Sequence, residues 1–286
     1  TIAHPATLST ITGWIKFTAG KEKLQFEPAE PPGPRPGIIV ALVLIICAGT
    51  LLGAGLLAGP VIRAAPSLFV NQGLTDLVVV LAGMGLGICV SLVNPVFTLP
   101  SLLVRTVTAD QIVNVMWLSG VLSLVLLVLW RQQTFRPGVG LDLKSMGLGM
   151  AGAVMVLLMA SHLFLDSTLY HLSLSGPKAL RAIPLFMFCF PFFYVTEGAL
   201  ESVRLRHPDP RPLEPRGLAW ELLMRGMLCC AMFMAWRSLG TLPYLILAAF
   251  GSQQAVAVLL NRATKNWLIT ASFNATLLSW GLAASL

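Results

Sequence analysis

Charged side chains inside long apolar runs are where this sequence could do chemistry. An ionised group in hydrocarbon is costly and is kept there by pairing or by function. Three pairs stand out, each spaced i, i+4, which puts both members on one helical face. The first is His162 and Asp166, with Tyr170 and His171 just beyond. A carboxylate beside an imidazole sets its tautomer and raises its basicity, the arrangement of a proton relay or half a metal site. The plainer alternative is a helix end whose polar groups are solvated at an interface. The second pair is Glu197 and Glu201, downstream of Pro184 and Pro191, which should kink their helix. Two carboxylates on one face repel unless one is protonated or a cation bridges them. Glu201 lies close to Arg204 and Arg206 and is expected to be solvated, so the deeper Glu197 is the better candidate. The third pair is Glu221 and Arg225, about one turn into its apolar run, with an internal salt bridge as the plain reading.

Other patterns carry less chemistry. Asn94-Pro95 and Pro100 break an apolar run and would free carbonyls to line a cavity or would simply kink a helix. Gly83, Gly85 and Gly87, then Gly147 and Gly149, then Gly55 and Gly59, read as small-residue helix contacts. None follows a strand, so a dinucleotide-binding reading fails on context. Cys47, Cys89, Cys189, Cys229 and Cys230 lie in apolar runs without zinc-ligand spacing and read as buried thiols. No metal or cofactor is expected.

The elements that must position these residues are membrane helices. Of 286 residues, 56% are hydrophobic and 11% charged, with a mean hydropathy of +0.80. Soluble domains carry about 25% charged residues. The apolar excess fits lipid, and the expected fold is all-α: a polytopic transmembrane bundle of about eight helices behind a short polar segment. A span needs about 20 mostly apolar residues. Eight runs qualify, at 38–58, 77–99, 111–130, 146–166, 181–200, 217–236, 242–260 and 266–285. Trp117, Trp130, Trp220, Trp236 and Trp267 fall near their ends, as an interfacial belt requires. The first, third, seventh and eighth spans read as plain; function inside the bilayer is expected among the second, fourth, fifth and sixth.

Residues 1–36 form the polar N-terminal segment and 37–286 the transmembrane domain. Within the former, Leu8, Ile11, Trp14, Ile15 and Phe17 follow helical spacing. A proline-rich stiff linker over 27–36 follows them. The chain begins at Thr1 without a signal-like start, which points to a processed chain or part of a longer one. Loops after odd-numbered spans hold ten Lys and Arg, and those after the second, fourth and sixth hold four. The positive-inside rule then expects a multi-pass protein of the cell membrane with both termini outside. The net charge of +7 is spread thinly, so the expected partners are the lipid bilayer, an upstream soluble domain or other membrane subunits, and not nucleic acid.

Two resemblances bear on function. Glu221-Leu-Leu-Met-Arg225-Gly226 resembles the Glu-Glu-x-x-x-Arg-Gly motif of CAAX-type intramembrane proteases. That resemblance implies a glutamate and later histidines that activate a water or bind a metal. Trp220 stands where the motif has its first glutamate, and no histidine follows His207, so the implied catalytic set is incomplete. The N-terminal His4-Pro5, followed by Ile11 to Phe17, resembles the tail of an α/β-hydrolase of the dienelactone-hydrolase or peptidase type. Some of these carry a multi-helix membrane domain after such a tail, and Phe273 to Trp280 is similar to its last helix. The resemblance implies that His4 is a triad base whose partners lie upstream; no Gly-x-Ser-x-Gly occurs in this chain. Three functions follow as expectations. The leading one is a membrane domain that anchors or regulates an associated domain or complex and is not itself catalytic. The alternatives are a small-molecule or ion transporter and a degenerate protease-like enzyme. The transporter needs Glu197, Glu221, Arg225, His162, Asp166 and the broken second span around one cavity. The enzyme needs Glu221, Glu197 and His162 at a common water.

Overall fold

A computed structural model of the chain describes residues 74–93, 107–130, 142–163, 176–206, 215–236 and 242–285. All lie in one compact unit, Val40–Leu286. The described residues form seven helices and no strand: α1 Leu74–Val93, α2 Val107–Trp130, α3 Leu143–Leu163, α4 Gly176–Arg206, α5 Pro215–Trp236, α6 Leu242–Thr264 and α7 Trp267–Ser285. Seven of the eight expected apolar runs are helical over their described residues. The span at 38–58, the Asn94-Pro95 break and the polar segment with His4 lie outside the described residues.

Among the described residues, two helices are long and apolar enough to cross a membrane, Gln111–Trp130 and Gly176–Glu201. Shorter apolar stretches run from Leu77 to Ser91 and from Leu143 to Leu158. The last three helices carry more polar side chains, among them Glu221, Arg225, Gln253, Gln254 and Asn261, and these dilute their apolarity. Helix α4 continues through both internal prolines, Pro184 and Pro191.

Small residues set the tightest helix contacts. A Cβ at Gly83 would lie 2.5 Å from the Ser123 backbone, and one at Gly87 2.5 Å from that of Ser119. There α1 and α2 pack backbone to backbone. Ser123 Oγ donates to Val80 O at 3.0 Å and Asn114 Nδ2 to Ser91 Oγ at 3.4 Å. Since 114 meets 91 and 123 meets 80, the two helices are antiparallel. Gly120 packs on the Pro191–Phe192 backbone, and Trp117 sets its ring edge-on to Phe188; α2 and α4 therefore run the same way. Gly149 seats against Ile269 O and Ser272, and Asn266 Nδ2 donates to Ser145 Oγ at 2.8 Å. Helices α3 and α7 thus also run together. Gly85 and Gly147 face open space, so the glycine pattern serves contact at only some of its positions.

Caps define the ends that position the site. Asp142 caps α3: its carboxylate accepts from Lys144 N at 3.2 Å, Ser145 N at 3.3 Å and Ser145 Oγ at 2.7 Å. The Ser145 hydroxyl, then the Lys144 amide, hold this exposed carboxyl below its ordinary value. Between α6 and α7 the chain turns in two residues, with Lys265 left-handed at φ 51°. Asn266 Oδ1 then caps α7 by accepting from Leu268 N and Ile269 N.

The packed core is apolar and aromatic. Phe192, Phe193, Val195 and Ala199 of α4 and Trp267 of α7 are fully buried. Trp267 stacks edge-on against Tyr194 and is interior, which corrects its expected place in an interfacial belt; exposed Trp130 is compatible with one. The outward faces are apolar too: Met155 on α3, Leu180, Ile183 and Met187 on α4, and Leu222 and Leu223 on α5 are all exposed.

Candidate functional site

The site grows from Arg225 on α5. Its guanidinium is 2% exposed and reaches Glu197 on α4, itself 1% exposed. Nη1 donates to Oε1 at 2.7 Å and Nη2 to Oε2 at 2.6 Å, a bidentate fork. Gln254 of α6 accepts from Nη1 through its Oε1 at 2.7 Å. Asn274 of α7 donates to Glu197 Oε1 at 3.1 Å. Gln253 Nε2 donates to Asn274 O at 2.6 Å, which holds α6 on α7. Four helices therefore converge on one ion pair.

A second layer extends it. Glu221, one turn before Arg225, places Oε1 3.5 Å from Arg225 Nη2. Its other oxygen accepts from Arg262 Nε of α6 at 3.1 Å. The charges alternate as Glu197, Arg225, Glu221, Arg262, two of each sign, so this set of four is neutral. Beside it, Asn261 Nδ2 donates to Glu201 Oε2 at 3.2 Å.

These contacts give helix directions as well. Arg225 meets Gln254 while Glu221 meets Arg262, so α5 and α6 are antiparallel. Asn261 meets Glu201 while Gln254 joins the pair at Glu197, so α6 follows α4.

The sequence-expected residues divide clearly. Glu197, Glu221 and Arg225 come together. Glu201 is buried at 3% exposure rather than solvated, a correction whose cause is the Asn261 amide that receives it. The Glu221–Arg225 pair exists, but Arg225 takes its short bonds from Glu197 on another helix. Arg262, expected as a loop cation, is a buried ion-pair partner in the last turn of α6. The helices over 242–260 and 266–285 are not plain: they supply Gln253, Gln254, Asn261, Arg262 and Asn274. His162 falls within α3 but its side chain lies outside the described residues, as do Asp166 and His4. Of the four cysteines among the described residues, Cys189 is buried, Cys229 half-buried, and Cys89 and Cys230 exposed, so the expectation of buried thiols holds for only part of these, and Cys47 lies outside the described residues.

The chemistry this arrangement supports follows from its saturation. Both Glu197 oxygens are occupied by charge-assisted donors, and Arg225 stands between Glu197 and Glu221. A carboxylate held in that way is a poor general base, which must present a free oxygen to the proton it takes. Within the network Arg225 Nε, Gln254 Nε2, Asn261 Oδ1 and Asn274 Oδ1 are buried and make no hydrogen bond. Among the described residues no group of three or more His, Cys, Asp or Glu could hold a metal ion. No protein-family model, curated protein or solved structure shows significant similarity to the chain.

Proposed function

We propose that the chain is a multi-pass membrane domain that anchors or regulates an associated soluble domain or membrane complex, and is not itself the catalyst. The observation that carries this reading is the inverted polarity of α5. Arg225 points inward at 2% exposure, while Leu222, Leu223 and Met227 point outward at 44–53%. Water would favour the reverse, whereas in hydrocarbon the charge belongs inside and paired. The alternating directions of the paired helices fit repeated crossing, with about eight spans once the run at 38–58 is included. On that topology both termini lie outside the cell membrane. An ion pair that ties four helices together is the use of buried charge expected of an anchor.

Fusing a fluorescent protein ahead of Thr1 tests the proposal. The fusion should stay in the membrane pellet through alkaline carbonate extraction. Release into the supernatant contradicts it.

The unpartnered buried polar atoms favour a second reading, a transporter whose polar solute or ion meets Arg225 Nε, Gln254 Nε2 and Asn274 Oδ1. Reconstituted vesicles report on it. Proton or solute flux above that of empty vesicles, abolished by Gln254→Leu, supports transport; flux equal to that of empty vesicles rejects it.

A further inference from the structure

A guanidinium carries five N–H groups in a fixed planar fork, and the network uses only part of those on Arg225. Both Nη1 hydrogens are spent, one on Glu197 Oε1 and one on Gln254 Oε1, each at 2.7 Å. Nη2 gives one hydrogen to Glu197 Oε2 at 2.6 Å. Its second hydrogen and that of Nε remain. With Nη1 spent, these two lie side by side and point the same way along the free edge of the plane. Nε is buried and makes no hydrogen bond. Beside this edge stands Glu221 Oε1, 3.5 Å from Nη2. That is beyond a charge-assisted bond, and Oε1 is likewise buried without a hydrogen bond. A pair of donors and an acceptor are thus neighbours that do not bond to each other.

We infer that this edge of Arg225 and Glu221 Oε1 together bind one water molecule. The water accepts from Nε and Nη2 and donates one hydrogen to Oε1. Three features select that occupant. The site offers donors and an acceptor at once, so its ligand must both accept and donate. A cation would meet the guanidinium and an anion the Glu221 carboxylate, while the four charges of the set already balance; a neutral ligand carries neither penalty. Three polar partners are also what a buried water usually finds. Access follows from position. The Glu221 side chain is 10% exposed against 1% for Glu197, so the site lies on the outer side of the ion pair. The bridge leaves the other Glu221 oxygen on Arg262, and one carboxylate then serves two arginines. The inference goes beyond the anchoring and transport readings and depends on neither.

The test is water-edited solid-state NMR on the full chain in phosphatidylcholine bilayers, with isotope-labelled arginine, tryptophan, glutamine and glutamate side chains. The Arg225 signals are recognised by their short dipolar contact to Gln254 and, independently, by their loss in Arg225→Lys. Magnetisation that starts on water should reach Arg225 Nε as quickly as it reaches Nε of exposed Arg181, at mixing times too short for relay through protein protons. The indole of fully buried Trp267 should stay dark at those times. An Arg225 Nε as dark as the Trp267 indole overturns the inference, and a direct dipolar contact from Nε to the Glu221 carboxyl then shows that the two side chains close on each other without water. Carbonate extraction reads the membrane anchoring separately, so either result can fail alone.

Discussion

Arg225 shows how a single side chain organises this site. Removing one partner of a buried pair strands the other charge, which costs about 3–5 kcal/mol in water-soluble proteins. Arg225→Ala and Glu197→Ala should each destabilise the fold by about 3 kcal/mol in detergent unfolding titrations. The double change Arg225→Met with Glu197→Leu should recover much of that loss, because no charge is left unpaired. Equal and additive losses would show that the two side chains act independently. At the bundle end, Asp142 gives a pH dependence of known sign. Its carboxyl is lowered from 3.8 in the folded chain by the Ser145 hydroxyl and then the Lys144 amide. The contribution of this cap is therefore fully present above that value and fades as pH falls through the lower folded value. Protection of the Ser145 amide, its exchange rate relative to that of an unstructured chain, should be lost only as pH falls below the ordinary carboxyl value of 3.8, and Asp142→Asn should remove that step. At this scale the sequence was partly readable. Glu221 and Arg225 are four residues apart on one helix, so their proximity is local. Glu197 and Arg225 are joined only by tertiary packing, and nothing in their spacing announces it.

At the scale of elements, glycine decides how closely helices approach. A methyl group at Gly120 would meet the Phe192 backbone at 2.5 Å. Gly120→Ala should cost about 1–3 kcal/mol as overpacking, visible as earlier unfolding. Gly85→Ala faces open space and should be neutral or slightly stabilising, since alanine favours helix. Equal effects at the two positions would refute the packing assigned to α2 and α4. The repeated glycines were legible as helix contacts, but which of them make contact depends on rotation about the helix axis. The amides of α6 and α7 are inconspicuous in the sequence for a different reason. Gln253, Gln254, Asn261 and Asn274 are uncharged and sit singly or paired in apolar runs. Inside a bilayer, such amides join helices much as charges do, and that signal was present at 253–254 and 274.

For the whole molecule, composition already pointed to an all-helical fold, and seven helices stand where apolar runs end in Gly, Pro or charge. What the structure adds is inverted polarity: ion pairs and amides inside, leucine and methionine outside. The most direct test is spin-label accessibility at Leu223 and Met187, both outward-facing, with exposed Lys144 at the start of α3 as the control. In reconstituted bilayers, labels at Leu223 and Met187 should collide readily with oxygen and rarely with a water-soluble nickel chelate. The label at Lys144 should show the opposite. Nickel access at Leu223 and Met187 equal to that at Lys144 would mean that these faces meet water, and would contradict the account.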